Sequence, residues 1–370
     1  MKRVLIVGFT ENLGGVERLI YSYYKEIDRS KLQFDFLINV EKVPFRSEIE
    51  KLGGRFFVIP RKTKDYVGYK NRLKAFFDNH AKEYIAFWFN SNSLANLDYL
   101  TYAYRYGIKK RIVHSHNTME TRGMVYKVFH QLNKGKARRM ATDYWACSVD
   151  AGRFFFDEDI VKSNKFRVIN NAINLHDLSF NKEKRTEWRK KIGIDDSVTL
   201  YGNVGRLSYQ KNHEFLLRAF KMLVSRHENV HLILIGTGEL EENIRRQIED
   251  LGLEKYVSLM GRQFDIPGIL QAVDVFVMPS RYEGLPIAAI EAQAAGLPCV
   301  LADTITKEVK FLNSCEYESI ASEDKWILAM EKAARELRSS DCSAIKEAGF
   351  DIEEEAAKLE EYLLTLEGLK

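Results

Sequence analysis

Two doubly wound α/β domains are what this sequence predicts, and three observations lead there. Short apolar runs bounded by turn residues alternate with amphipathic stretches along the chain, the pattern of βα units that bury a parallel sheet on both faces. At 370 residues and 45% hydrophobic content, the chain is long enough for about two cores. Charge divides it too: residues 1–175 carry 31 Lys and Arg against 18 Asp and Glu, a net +13, and the rest carry 25 against 34, a net −9. Such asymmetry suits the first half to an anionic ligand or surface.

In chain order, the first half gives strands near Val4 to Val7, Phe34 to Ile38, Phe56 to Ile59, Ile85 to Phe89, Arg111 to His114, Tyr144 to Cys147 and Phe166 to Ile169. Between the first two, Val16, Leu19, Ile20, Tyr23 and Ile27 fall on one helical face. The second half gives Val198 to Val204, Val230 to Ile235, Val257 to Met260, Asp274 to Met278 and Pro298 to Leu301, with helices between. The polar segment 174–185 lacks periodicity and marks the boundary, so a first domain is expected over 1–175 and a second over 176–350. From 351 to 370 the chain reads as a final helix with Ile352, Ala356, Leu359 and Leu363 on one face.

The chemistry concentrates at predicted strand ends. After the strand ending at Met278, Glu283 and Glu291 lie eight positions apart across Gly284, Leu285, Pro286 and Ile287, a turn that opens a helix. Unpaired N–H groups at a helix start hold anions, and carboxylates accept hydrogen bonds from hydroxyls. Such a pair also occurs as a merely solvated helix start. Upstream, Gly205-Arg206-Leu207 and Lys211 follow another strand, where a guanidinium fork and an ammonium can converge on a diphosphate. Gly236-Thr237-Gly238 ends a third strand in a glycine turn. Together these suit a nucleotide sugar.

That set resembles the family-four retaining glycosyltransferases of the GT-B fold, particularly the bacterial capsule and exopolysaccharide type. The resemblance runs from Gly14-Gly15 through His114-Ser115-His116-Asn117 and Asn170-Asn171-Ala172-Ile173-Asn174 to the last helix. Ala172 and Asn174 depart from the Asn-Gly-Ile-Asp usual there. The resemblance implies two Rossmann-like domains facing across a cleft, acceptor on the first and donor on the second, with the last helix returning to the first domain. It puts Glu283 and His116 near the donor sugar, Glu291 on the ribose, and Arg206 with Lys211 on the diphosphate. Gly14, Gly15, Gly236, Arg262, Gly284, Leu285, Pro286 and Ile287 complete the expected donor site.

Other motifs weigh less. Gly14-Gly15 opens the first helix, where a backbone can approach a ligand or simply turn tightly. Gly8-Phe9-Thr10 lacks the second glycine of a dinucleotide fingerprint. Strand alternation puts His114 and His116 on one face, but no third ligand lies at zinc spacing. Asp157-Glu158-Asp159 follows three phenylalanines rather than a strand end and reads as a polar loop, not a metal motif. Arg206, Lys211 and helix N-termini can neutralise the diphosphate, so no metal and no cofactor is expected.

Arg122, Lys127, Lys134, Lys136, Arg138 and Arg139, beside apolar Met124, Val125, Val128 and Phe129, form either a solvated face or a surface for anionic membrane and a lipid-diphosphate acceptor. Nucleic acid is disfavoured, since no binding module surrounds them. Cys147, Cys299, Cys315 and Cys342 lack metal spacing and read as reduced thiols. After Lys2-Arg3 the apolar stretch is too short for a signal core, and nothing approaches the ~20 apolar residues of a membrane span. The expected enzyme is cytoplasmic and peripheral on the inner face of the cell membrane. It moves a hexose-type sugar, with a UDP-sugar favoured, to an undecaprenyl-diphosphate-linked saccharide. A GT-B nucleotide-sugar epimerase and a nucleotide-dependent oxidoreductase are the alternatives, and the missing glycine fingerprint argues against the second.

Overall fold

The computed structural model describes residues 1–12, 14–117 and 123–365. The chain divides into two units, one formed by Met1–Ala172 with the segment that begins at Gly349, the other by Ile173–Ala348.

The first unit holds seven strands: β1 (Lys2–Val7), β2 (Leu32–Ile38), β3 (Arg55–Val58), β4 (Tyr84–Ser91), β5 (Lys110–Ser115), β6 (Asp143–Ala146) and β7 (Phe166–Val168). Their order is β3-β2-β1-β4-β5-β6-β7, every neighbour parallel. Strand alternation sends Val4, Ile6, Phe34 and Trp88 to one apolar cluster and Leu5, Val7, Leu37 and Phe87 to another. Both faces are therefore covered, and each such side chain contributes about 1.5–3 kcal/mol by leaving water. The helix Gly15–Glu26 covers the first face with Leu19, Ile20 and Tyr23. The helix Ile352–Leu364 packs beside it, burying Ile352, Ala356, Leu359 and Leu363 in the same cluster.

The second unit holds β8 (Thr199–Val204), β9 (Val230–Ile235), β10 (Val257–Gly261), β11 (Val275–Met278), β12 (Cys299–Ala302) and β13 (Cys315–Glu318), in the order β10-β9-β8-β11-β12-β13 and again all parallel. Some elements escape the sequence pattern. The edge strand β13 is half polar, and the aperiodic 174–185 segment opens the helices Leu175–Leu178 and Lys182–Ile192, capped by the side chains of Asn174 and Asn181. Both sheets reverse direction of travel once, between β1 and β4 and between β8 and β11. In open α/β sheets, ligands bind beyond the carboxyl ends of the strands at such a switch point.

Candidate functional site

In the second unit, three loops meet past the carboxyl ends of β8, β9 and β11. Gly236 (φ +144°) lies so close to the β8 loop that a Cβ there would sit 1.9 Å from Gly205 O, and a Cβ on Gly238 would sit 2.2 Å from Leu207 O. Only glycine permits this approach. The backbones are then stitched, with Leu207 N donating to Thr237 O at 3.2 Å and Leu240 N to Leu207 O at 3.0 Å.

Against this platform the β8 loop grips the β11 loop. Lys211 Nζ lies 2.7 Å from Glu283 Oε1, Gln210 Nε2 donates to Glu283 Oε2 at 3.1 Å and to Tyr282 O at 3.0 Å, and Arg281 N donates to Gln210 O at 2.8 Å. Lys211 and Glu283, which the sequence assigned to different parts of a ligand, are thus paired with each other. Gln210 was not singled out from sequence, because its partner is 73 residues away. Arg206 stays 73% exposed and meets Glu239 at 3.0 Å. Arg262 is exposed after β10, and Gly284 is exposed with open space where a side chain would stand.

The helix Ile287–Ala294 begins later and tighter than an open anion cradle requires. Ile287 N already donates to Leu285 O at 3.0 Å and Ala289 N to Pro286 O at 2.9 Å, so the turn around buried Pro286 consumes amides that the sequence reading left for a ligand. Glu291 sits one turn into that helix, partly buried.

In the first unit, Gly14 and Gly15 open the helix Gly15–Glu26, but the loop before it is closed by its own carboxylate. Buried Glu17 accepts from Thr10 N at 3.0 Å, Thr10 Oγ1 at 2.7 Å and Gly14 N at 3.1 Å, and a Cβ on Gly14 would sit 2.9 Å from Glu17 Oε2. Gly14's own N–H, which the sequence offered to a ligand, is therefore taken. Gly15 is exposed.

His116 follows β5, its ring 4.1 Å from that of His114. Its Nε2 is 2.9 Å from Asn90 Oδ1, and Trp88 Nε1 donates to His114 Nδ1 at 3.2 Å. Burial pushes His116 down to about 3; burial, and then the His116 neighbour, push His114 well below the usual range. Both rings are neutral at physiological pH.

The basic segment forms the helix Met124–Met140, with Met124, Val125, Val128, Phe129 and Leu132 exposed along one side. Lys127, Lys136 and Arg139 are exposed, and Lys134 is partly buried, which lowers its pKa against the pull of Asp157. Arg138 pairs with Asp159 at 2.5 Å and Asp157 at 3.6 Å, so this guanidinium is already matched by the acidic start of the short helix Glu158–Val161, which stands where the sequence suggested a loop. Arg122 lies outside the described residues. Among the described residues no helix is long and apolar enough to cross a membrane.

Comparison with known proteins extends this geometry. The family described as "Glycosyl transferases group 1" matches residues 184–314. EpsF of Bacillus subtilis (strain 168), named as a glycosyltransferase, is 34% identical over 322 residues, which span 83% of this chain and 81% of that protein. The UDP-Gal:alpha-D-GlcNAc-diphosphoundecaprenol alpha-1,3-galactosyltransferase of Escherichia coli is 34% identical over 142 residues, 38% of this chain and 37% of that one. Among solved structures, Anabaena Alr3699/HepE in complex with UDP aligns with a TM-score of 0.75 at 18% identity, covering 98% of this chain and 99% of that one. WaaG, a glycosyltransferase involved in lipopolysaccharide biosynthesis, aligns at 0.61 with 15% identity, covering 97% and 95%.

Proposed function

The chain belongs to the group 1 glycosyltransferases, the family-four type with the GT-B fold, and from that premise we propose that it moves a hexose-type sugar from a UDP-sugar to a lipid-linked oligosaccharide in exopolysaccharide or capsule synthesis. The observation that carries the reading is the shielded Lys211–Glu283–Gln210 group at the switch point of the second unit, a charged constellation at the place where α/β sheets bind ligands. The E. coli relative named above acts on a diphosphoundecaprenol acceptor, which supports a polyprenyl-diphosphate-linked one here.

In this reading the diphosphate meets Arg206 and Lys211, whose fixed charge stabilises the leaving group as the anomeric carbon gains oxocarbenium character. Glu283 accepts from sugar hydroxyls, Glu291 from the ribose, and His116 lies against the sugar. Configuration at the anomeric carbon is retained. The basic, apolar helix Met124–Met140 supports peripheral attachment to the anionic inner leaflet, where the acceptor resides.

The test supplies purified enzyme with a panel of sugar nucleotides and an undecaprenyl-diphosphate-linked saccharide, and determines product linkage by NMR. An α-linked product from an α-linked UDP-sugar is expected. Release of an epimerised sugar without acceptor would replace this reading with the epimerase. No metal is required in this scheme, so total loss of activity in EDTA, restored by manganese, would overturn the charge assignment.

A further inference from the structure

At the switch point of the first unit, three neighbouring strands end on one hydrogen-bonded chain. Val7 closes β1, Asn90 is the penultimate residue of β4, and His116 follows β5 directly. Asn90 Nδ2 donates to Val7 O at 3.3 Å, and Asn90 Oδ1 lies 2.9 Å from His116 Nε2. Gly8 is part of the same fit. With φ at +110°, a Cβ there would stand 2.1 Å from Asn90 O, so only glycine lets β1 and β4 close enough for the first bond.

The directions of these bonds follow from chemistry. A backbone carbonyl only accepts, so the nitrogen of the Asn90 amide must face Val7 and its oxygen must face the imidazole. That oxygen also only accepts, so His116 must carry its proton on Nε2. In a neutral ring, Nδ1 is then a bare acceptor. Among the described residues Nδ1 has no partner, and His116 is only partly buried. Among the described residues the titratable side chain packed against it is His114, itself uncharged and fixed the same way: Trp88 Nε1 can only donate, so His114 Nδ1 accepts.

The second unit repeats the device. Asn203 Nδ2 donates to Val277 O at 2.7 Å, and Asn203 Oδ1 lies 3.1 Å from His213 Nε2, again between the two strands flanking the switch point. There the histidine is 2% exposed and serves as a buried brace. In the first unit the corresponding histidine is only partly buried.

We propose that Asn90 is a positioning residue that locks His116 as the Nε2–H tautomer, so that His116 Nδ1 accepts a hydrogen bond from a sugar hydroxyl and neither donates to the sugar nor acts as an acid. The ligand class is a polyol with a free hydroxyl at that point. This rests on the assignment of His116 to the sugar made above.

The test begins on the unmodified enzyme, labelled with ¹⁵N-histidine and read by long-range ¹⁵N–¹H correlation. His116, assigned through His116→Gln, is expected to show a protonated Nε2 and an unprotonated Nδ1 from pH 8 down to 5.5. A protonated Nδ1 would overturn the lock without any variant having to fold. In Asn90→Ala the single-tautomer pattern is expected to give way to a mixture, and an unchanged pattern in the folded variant would also overturn it. Asn90→Asp keeps an acceptor but places a carboxylate beside the ring, so His116 gains a proton on acidification. Turnover is then expected to fall at least tenfold between pH 7.5 and 5.5 where the wild type changes little, and matching pH profiles would count against the lock. The assignment to the sugar is judged separately. A locked tautomer in a protein whose His116→Gln variant retains wild-type kcat and KM would leave the lock standing and remove the sugar contact.

Discussion

Lys211 Nζ and Glu283 Oε1 are 2.7 Å apart with side chains only 15% and 7% exposed, so each is the other's principal neutralising partner in the unliganded protein. A diphosphate arriving here must therefore compete with Glu283 for the ammonium, or share it. Removing one member of a shielded pair strands the other charge, which costs about 3–5 kcal/mol. Lys211→Ala is accordingly expected to lower both the thermal midpoint and nucleoside diphosphate affinity, whereas Glu283→Gln, which keeps the shape and a hydrogen-bonding partner for Gln210, is expected to lower turnover more than affinity. Calorimetry of both variants with UDP checks this, and equal affinity in wild type and Lys211→Ala would dissociate the pair from the ligand.

Glu291 is a cleaner probe of the nucleotide, because it lies on the helix rather than in the clamp. Losing a charge-assisted hydrogen bond costs ~1.5–3 kcal/mol, or about ten- to a hundredfold in affinity. Glu291→Ala is expected to weaken UDP binding by that factor, measured by titration.

Acid sensitivity is expected above the carboxylate range. His213 is held down to about 4, by burial first and by Lys211 second, and His116 to about 3 by burial. In the unfolded chain both return to roughly 6.5. Between those values the unfolded state binds protons that the folded state refuses, so stability is full above pH 6.5 and declines as pH falls toward 4, by about 1.4 kcal/mol per pH unit for each site. Urea unfolding at pH 7.5, 6 and 5 reads this slope. A midpoint constant across that range would mean that the two rings are charged or hydrated in the folded protein.

Membrane attachment is expected to need both halves of the helix Met124–Met140. Each exposed Lys or Arg contributes about 1 kcal/mol near an anionic leaflet, fading over a Debye length of roughly 8 Å. Replacing Lys127, Lys136 and Arg139 with Gln is expected to abolish flotation with anionic vesicles, and Val128→Ser with Phe129→Ser to weaken it at high salt. Arg138→Gln alone is expected to do little, since Asp159 already holds it. Equal flotation of wild type and the triple variant would show that this face is merely solvated.

Most of the sheet was readable in the sequence because a strand covered on both faces must be apolar throughout, as in Val275–Met278 and Val230–Ile235. The edge strand Cys315–Glu318 was not, since its outer residues touch solvent and break the run. Lys182–Ile192 hid for another reason. It buries Arg189 rather than a leucine stripe, and the two terminal guanidinium nitrogens are held by Asp274, Ala272 O, Asp195 O and Val198 O. The site shows the same division. Glycines, the basic pair and the two glutamates stand out as local patterns, but the hold of Gln210 on Glu283 and of Asn90 on His116 depends on strand neighbours far apart in sequence. No local periodicity encodes which loops a parallel sheet will bring side by side.

The helix Ile352–Leu364 has a bearing on biosynthesis. Its four apolar residues complete a core whose other members, Leu19, Tyr23 and Phe34 among them, are made early. At ribosomal rates of roughly 5–20 residues per second, the first unit waits about ten to forty seconds between the making of Ala172 and of Ile352. During that interval an oily groove beside the helix Gly15–Glu26 stands open while the second unit, continuous in sequence, can already close. The nascent chain is therefore most exposed to chaperones and proteases along that groove, and the docking of the helix Ile352–Leu364 is the event that seals it.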